Sequence, residues 1–135
     1  KGHTDDGIFA VVEPLGVWIA GDYLSDVEFP FISSSSADYI ETLEKTETIL
    51  ANHRINLLIP GHGHAAFSQE EILKRKSESL HYIISLKEAI RSDKAHEHLI
   101  APYSYQRGLI KCHRENVRFL LQEMGLHGRA RDQGL

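Results

Sequence analysis

Residues 55–63 read INLLIPGHG. Ile55, Leu57, Leu58 and Ile59 form a short apolar run that Pro60-Gly61 closes, and His62-Gly63 follows at once. An apolar run of this length, bounded by Pro and Gly, reads as a buried strand. Residues Ile55–Ile59 are therefore expected to form a strand that delivers His62 into a loop at its end. Two earlier runs have the same form. Ile8–Val12 (IFAVV) ends at Glu13-Pro14, and Val17–Ala20 (VWIA) ends at Gly21-Asp22. The few turn residues between these two predict an antiparallel hairpin.

Working outward, Ser36 or Asp38 can cap a helix running to about His53, with Ile40, Leu43 and Leu50 on one face. Ser68 and Glu71 have capping-box spacing ahead of a helix to Ile90. Its apolar positions Ile72, Leu73, Leu80, Ile83, Ile84 and Ile90 recur at helical period. A last helix is expected from Leu109 to Met124, with Ile110, Val117, Leu120, Leu121 and Met124 as its stripe and Gly125 to end it. Residues 1–7 and 23–35 read as loops. The order is β-β-α-β-α-α, an α/β chain of the α+β type. It makes one domain over residues 1–127, with a polar tail at 128–135. The strands read as apolar on both faces, a pattern of strands covered on both sides. The helices can cover one face only, so the other calls for a partner layer.

Composition narrows the function classes. The chain has 135 residues, a formal net charge of -4 and 41% hydrophobic residues. This is the balance of a water-exposed domain with a core, and it argues against a nucleic-acid surface. No apolar run approaches the roughly 20 residues of a membrane span, so no membrane partner is expected. Cys112 is the one cysteine. It excludes an internal disulfide and fits a reducing, cytoplasmic setting. Nine histidines are many for this length, and histidine is the commonest metal ligand.

Three segments put a metal-capable side chain beside glycine at a strand end: Gly2-His3-Thr4, Gly21-Asp22 and Pro60-Gly61-His62-Gly63. Strand ends along one edge of a sheet bring distant residues together. Two imidazoles and a carboxylate meeting there suit zinc, which takes nitrogen and oxygen ligands. Each segment alone is more often a plain turn or a solvated loop. Their order, spacing and strand context give the signal.

That combination resembles the metallo-β-lactamase superfamily over residues 1 to about 92. Its members carry His-x-His-x-Asp-His, then Gly-His-Thr, then an Asp after a strand, then Pro-Gly-His-Gly. The last three stand here as residues 2–4, 19–22 and 58–63, while the first cluster is absent. The resemblance implies the C-terminal half of a four-layer αββα sandwich. It also implies two divalent metal ions, zinc by donor type, with His3 on one, His62 on the other and Asp22 bridging as the catalytic carboxylate. The implied activity is hydrolysis, in which a metal-bound hydroxide attacks an ester, thioester, lactone or phosphodiester of a small-molecule substrate. The other half of the sandwich, or a second copy of this chain, is the implied partner at the uncovered sheet face. Without it the chain is expected to be inactive.

A non-catalytic binding module of the same ancestry is the main rival, and chance convergence of the three motifs is a third reading. Other residues have plainer roles. His64 reads as a loop histidine, and Asp5 and Asp6 as a solvated turn. Phe9 and Trp18 are expected in the hairpin core. His113 is expected to be partly buried and structural, and Cys112 an inert thiol. His96 and His98 read as a solvated segment between helices. Tyr103 and Tyr105 either line a cleft or pack between helices.

Overall fold

The structure is a computed structural model and describes residues 1–103 and 106–126. Three strands, β1 (Ala10–Val12), β2 (Val17–Gly21) and β3 (Leu57–Pro60), form one sheet in that order. β1 and β2 pair antiparallel, with Val11 opposite Trp18 and a single 3-10 turn, Glu13–Leu15, between them. β2 and β3 pair parallel, with Trp18 opposite Leu58. A parallel pair needs a long crossover, and helix α1 (Ser36–Asn52) lies in it. Helices α2 (Gln69–Ser92) and α3 (Gln106–Glu123) follow, separated by a short 3-10 turn at Glu97–Ile100. Among the described residues the fold is thus mixed α/β, with three helices and a three-stranded mixed sheet. Among the described residues no helix is long and apolar enough to cross a membrane.

Local chemistry sets the element ends. Ser35 caps α1, its hydroxyl accepting from the Asp38 amide at 3.1 Å; the sequence had pointed to Ser36 or Asp38. Ser68 caps α2 in the expected way, accepting from the Glu71 amide at 3.2 Å. The Glu71 carboxylate turns away to Arg75 Nε at 2.9 Å. Strands β1 and β3 start two residues later than expected. The β1 ladder stops at the Ala10–Ile19 pair, beside the irregularity between Ile19 and Gly21. Ile8, beyond that pair, is 76% exposed.

Side chains alternate across a strand, so register assigns them to faces. Trp18, Ala20 and Leu58 point to one face and are fully buried, in a core with Tyr39 and Leu43 of α1 and Ile72, Ile83 and Leu86 of α2. Phe9 meets Trp18 edge to face with ring centroids 5.2 Å apart, as the core reading required. On the other face Ala10, Ile19 and Ile59 line up across the sheet, as do Val12, Val17 and Leu57. Val12, Ile19 and Ile59 are 39%, 45% and 41% exposed there. One face is covered by helices and the other is open and apolar.

Two helical stripes differ from expectation. Leu73, Ile84 and Ile110 are exposed, while Arg75, Lys76 and Ser79 are buried on α2 and Leu109, His113 and Asn116 on α3. The neighbours supply the reason. Lys76 reaches Glu44 and Glu47 of α1 at 2.8 and 2.5 Å, so its aliphatic stem packs while its charge is paired. The tail 128–135 lies outside the described residues.

Candidate metal centre

The segment carrying His3 is held from three sides. The Gly2 carbonyl accepts from the backbone amides of Ser33 and Ser34 at 3.3 and 3.2 Å. The His3 amide donates to Tyr23 Oη at 3.1 Å, and that hydroxyl donates to the Lys1 carbonyl. Ser33 Oγ donates to the His3 carbonyl. Gly2 has φ 106°, and a Cβ there would stand 2.3 Å from the Tyr39 amide nitrogen, so both conformation and space require glycine. The serine run at 33–36 is the cradle of this segment and the start of α1.

His62 and Asp22 arrive on neighbouring parallel strands. Gly21 pairs with Pro60, so the residues that follow, Asp22 and Gly61-His62, leave the sheet at the same edge. The Gly61 amide donates to the Gly21 carbonyl at 2.6 Å. The three sequence-selected residues meet there. His3 Nε2 stands 3.0 Å from Asp22 Oδ2, and His62 Nε2 stands 3.4 Å from Asp22 Oδ1. The side chains are open to solvent in different degree: His3 20%, Asp22 42% and His62 62% exposed.

The orientation of both rings has an external cause. His3 Nδ1 lies 2.8 Å from the Phe31 carbonyl. A carbonyl only accepts, so Nδ1 carries the proton and the ring is turned with Nε2 toward Asp22. His62 Nδ1 faces Glu28 Oε1 at 3.6 Å, again leaving Nε2 on the Asp22 side. The loop after β2 thus supplies both outer partners. His3, Asp22, Glu28, Phe31 and His62 share the wall of one cavity of about 250 Å³. Neither Glu28 nor the Phe31 carbonyl was found from sequence. Glu28 lacked a motif, and a backbone carbonyl has no residue signature.

Whether a metal fits can be tested on the donor set. Zinc bonds to nitrogen and oxygen of roughly 2.0–2.2 Å at a tetrahedral angle place two donors roughly 3.4 Å apart. The two Nε2–Oδ separations, 3.0 and 3.4 Å, are close to such an edge on either side of Asp22. The kind of donor fits. The number does not: among the described residues no group of three His, Cys, Asp or Glu side chains could hold one ion. What is present is one imidazole for each oxygen of a shared carboxylate.

Beside this centre Asp26 accepts from the His64 amide and ring Nδ1 at 2.8 and 2.9 Å, with the Arg75 guanidinium 3.8 Å away. Burial alone would raise the Asp26 carboxyl; the His64 bonds and Arg75 outweigh it and hold it below its ordinary value. Arg75 also donates to the His64 and Leu24 carbonyls, fixing the loops on either side of the centre. His64 is exposed, as read from sequence. Asp5 and Asp6 are exposed too, and Asp5 accepts from Ser34 Oγ.

One expectation is overturned. His98 is exposed, but His96 is buried, with Nδ1 2.9 Å from His113 Nε2. The turn at Glu97–Ile100 packs Ile100 inward and carries His96 with it. His113 Nδ1 in turn meets Tyr82 Oη at 2.8 Å. Burial, then the neighbouring His96, push His113 down to about 4. Cys112 is part-buried, and burial raises its thiol, in keeping with an inert role. Tyr103 packs edge to face on Phe29 and lines a cleft of about 660 Å³ with Tyr82, His81 and Lys74. Tyr105 lies outside the described residues.

No protein-family model matches the chain, and no curated protein matches it.

Proposed function

We propose that this chain is the C-terminal half of a metallo-β-lactamase-like hydrolase and carries half of a two-metal centre. The supporting observation is the arrangement about Asp22. Its two oxygens face two different imidazole Nε2 atoms, and each ring has its Nδ1 turned to the loop after β2. A carboxylate has two oxygens to share, so it suits a bridge between two ions. Partners on the far ring nitrogen are what orient metal-bound histidines in general.

His3 and His62 would each hold one ion, and Asp22 both. When bound, the ions would supply Lewis-acid activation of water and of the scissile group at neutral pH. The protein's own part is to place three donors rigidly and to keep their lone pairs on one side. The substrate class is an ester, thioester, lactone or phosphodiester. In each, water adds at carbon or phosphorus and the alcohol, thiol or sugar oxygen leaves with the proton. The remaining ligands, and the layer over the open face of Ala10, Val12, Val17, Ile19, Leu57 and Ile59, would come from the other half of the sandwich. Its sheet would stack about 10 Å away.

The deciding experiment is zinc uptake by equilibrium dialysis with elemental analysis. Uptake by the wild-type chain that is lost in Asp22→Ala and weakened in both His3→Ala and His62→Ala is the expected result. Equal uptake by Asp22→Ala would refute the bridge and the reading built on it.

A further inference from the structure

A buried run of polar side chains ties the turn Glu97–Ile100 to both long helices. Asn116 and His113 of α3, Tyr82 of α2 and His96 ahead of the turn are all buried. Asn116 Oδ1 accepts from the Ile32 amide at 2.9 Å. Its Nδ2 donates to the Pro30 carbonyl at 2.7 Å and to Tyr82 Oη at 3.0 Å. Tyr82 Oη stands 2.8 Å from His113 Nδ1, and His113 Nε2 stands 2.9 Å from His96 Nδ1.

The neighbours assign each hydrogen. The Ile32 N–H only donates and the Pro30 carbonyl only accepts, so the Asn116 amide cannot turn over. Tyr82 Oη accepts from Asn116 and gives its own proton to His113 Nδ1. His113 therefore carries its ring proton on Nε2 and donates it to His96 Nδ1. A further proton has no place in this run. On His113 Nδ1 it opposes the tyrosine hydroxyl hydrogen, and on His96 Nδ1 it opposes the His113 Nε2 hydrogen. Reversing the His113 ring proton to make room turns an N–H onto Tyr82 Oη and leaves the hydroxyl hydrogen without its acceptor. Each way, a buried bond is lost.

The surroundings offer an extra charge little support. On α2 the facing group is Tyr82, and on α3 Cys112 adjoins His113; burial raises both and keeps them neutral. Burial likewise raises Tyr103, to about 12. The loop after β2 presents the Phe29 ring edge, while its Glu28 faces His62. Among the described residues Glu97 is the one carboxylate acting on His113. It is exposed, and its Oε2 accepts from the His96 amide at 3.1 Å.

We propose that the His96–His113 contact is a proton-operated latch on the turn. While both rings are neutral, His113 holds His96, and with it the turn, against α3. When His113 takes up a proton, the contact breaks and the turn comes away. The turn is the part that yields, because it is four residues long and no side chain caps it, whereas α2 and α3 are long packed helices. Just beyond His96, His98, Leu99, Pro102 and Tyr103 form one wall of the cleft of about 660 Å³, facing Lys74 and His81 of α2. Release of the turn moves that wall and opens the cleft.

Native-state hydrogen exchange by NMR, corrected for the intrinsic effect of pH, tests the latch. The Leu99 and Ala101 amides, bonded to the His96 and His98 carbonyls, report on the turn. The Leu58 and Ala66 amides, bonded to each other's carbonyls, report on the sheet. As pH falls from 6.5 toward 4, exchange at Leu99 and Ala101 is expected to rise by up to about tenfold per pH unit, the linkage of one proton. Low urea should leave that exchange unchanged, since a local opening exposes little surface, but should speed exchange at Leu58 and Ala66. His113→Gln, which has no proton to take up, should abolish the pH response of the turn. His96→Ala, which removes the latch from the other side, should speed exchange of the turn about tenfold already at pH 7. The ring nitrogen signals of wild type at pH 7 should place the His113 proton on Nε2. Turn amides that exchange as the sheet amides do, with the same urea dependence, would overturn the proposal, because the turn would then open only when the whole chain unfolds. An unchanged pH response in His113→Gln, or a His113 proton on Nδ1, would overturn it as well.

Discussion

A Cβ on Gly61 would lie 2.5 Å from Asp22 Oδ1. The backbone just after β3 therefore passes against the carboxylate itself, and the hydrogen at Gly61 is what leaves the carboxylate room between His3 and His62. The nearest backbone atoms, the Gly21 carbonyl oxygen and carbon, are 3.2 and 3.3 Å away. In Gly61→Ala the carboxylate must move while the strands need shift only slightly. Stability should stay within about 1 kcal/mol of wild type, as for a surface change. Zinc affinity should fall by about tenfold, as when ligand geometry is disturbed. Thermal melting with calorimetry checks both, and undiminished zinc binding would show that Asp22 is not held in place by β3.

The isolated chain should not turn over substrate at a useful rate. A catalytic zinc takes about three protein ligands, and the described residues offer a histidine and half of Asp22 on each side. Esterase, thioesterase, lactonase and phosphodiesterase assays with added zinc provide the check. Zinc-dependent turnover that disappears in His62→Ala would mean that self-association had completed the centre.

Lys76 joins α1 to α2 from a buried position, bonded to Glu44 and Glu47. Burial by itself would lower its pKa; the two carboxylates overcome this and raise it. A raised lysine contributes fully below its unfolded pKa, and the contribution is lost only as pH rises through the folded one. Lys76→Ala should therefore cost about 1–3 kcal/mol near neutral pH, largely from the lost packing of its stem. Urea unfolding of the two proteins measures it, and a loss that vanished at neutral pH and returned at alkaline pH would contradict the assignment.

Acid should weaken the fold through His113, whose value in the fold is about 4 against an ordinary 6.5. A depressed histidine binds its proton in the unfolded chain first, so stability is full above 6.5 and falls as pH drops toward 4. The slope in that window is on the order of 1 kcal/mol per pH unit. His113→Gln should be less stable at neutral pH and show a shallower decline on acidification. Urea midpoints at several pH values would decide, and parallel declines in the two proteins would assign the acid loss to other groups.

The open sheet face makes a prediction about association. Ile19 and Ile59 stand opposite each other on β2 and β3 and are both about half exposed. An apolar face of this kind drives contact with another surface. The wild-type chain should associate in light scattering, and Ile19→Lys with Ile59→Lys should return it to monomer. A monodisperse 15.3 kDa wild-type chain would remove the case for a missing layer.

Several elements were legible because their ends are marked: Pro60-Gly61 at the end of β3, Ser68 before α2, Gly125 after α3. Asp22 and His62 were legible for the same reason, since each follows a strand at its glycine; His3 stands well before β1 and is brought to them by Ser33, Ser34 and Tyr23, which no motif announced. What surrounds them was not. Glu28, Phe31 and Asn116 act through backbone groups or across many residues of sequence, and no local pattern encodes that. His96 reads as solvated from its place between helices, while its partner His113 lies on another helix and buries it. Leu73, Ile84 and Ile110 show the same limit. Apolar period fixes that a helix has a face, but Arg75, Lys76 and Asn116 can occupy that face when partners wait opposite.

The mixed pairing of the sheet has a kinetic side. β1 and β2 close through a turn of a few residues, a local event of microseconds, yet a lone two-stranded hairpin is barely stable in water. β3 must come from beyond α1 to lie parallel to β2, and closing that long loop costs entropy before any contact repays it. The rate-limiting event in folding should therefore be the docking of β3 with α1. Asp22 and His62 follow the two strands joined in that step, so the candidate centre exists in no state that precedes it.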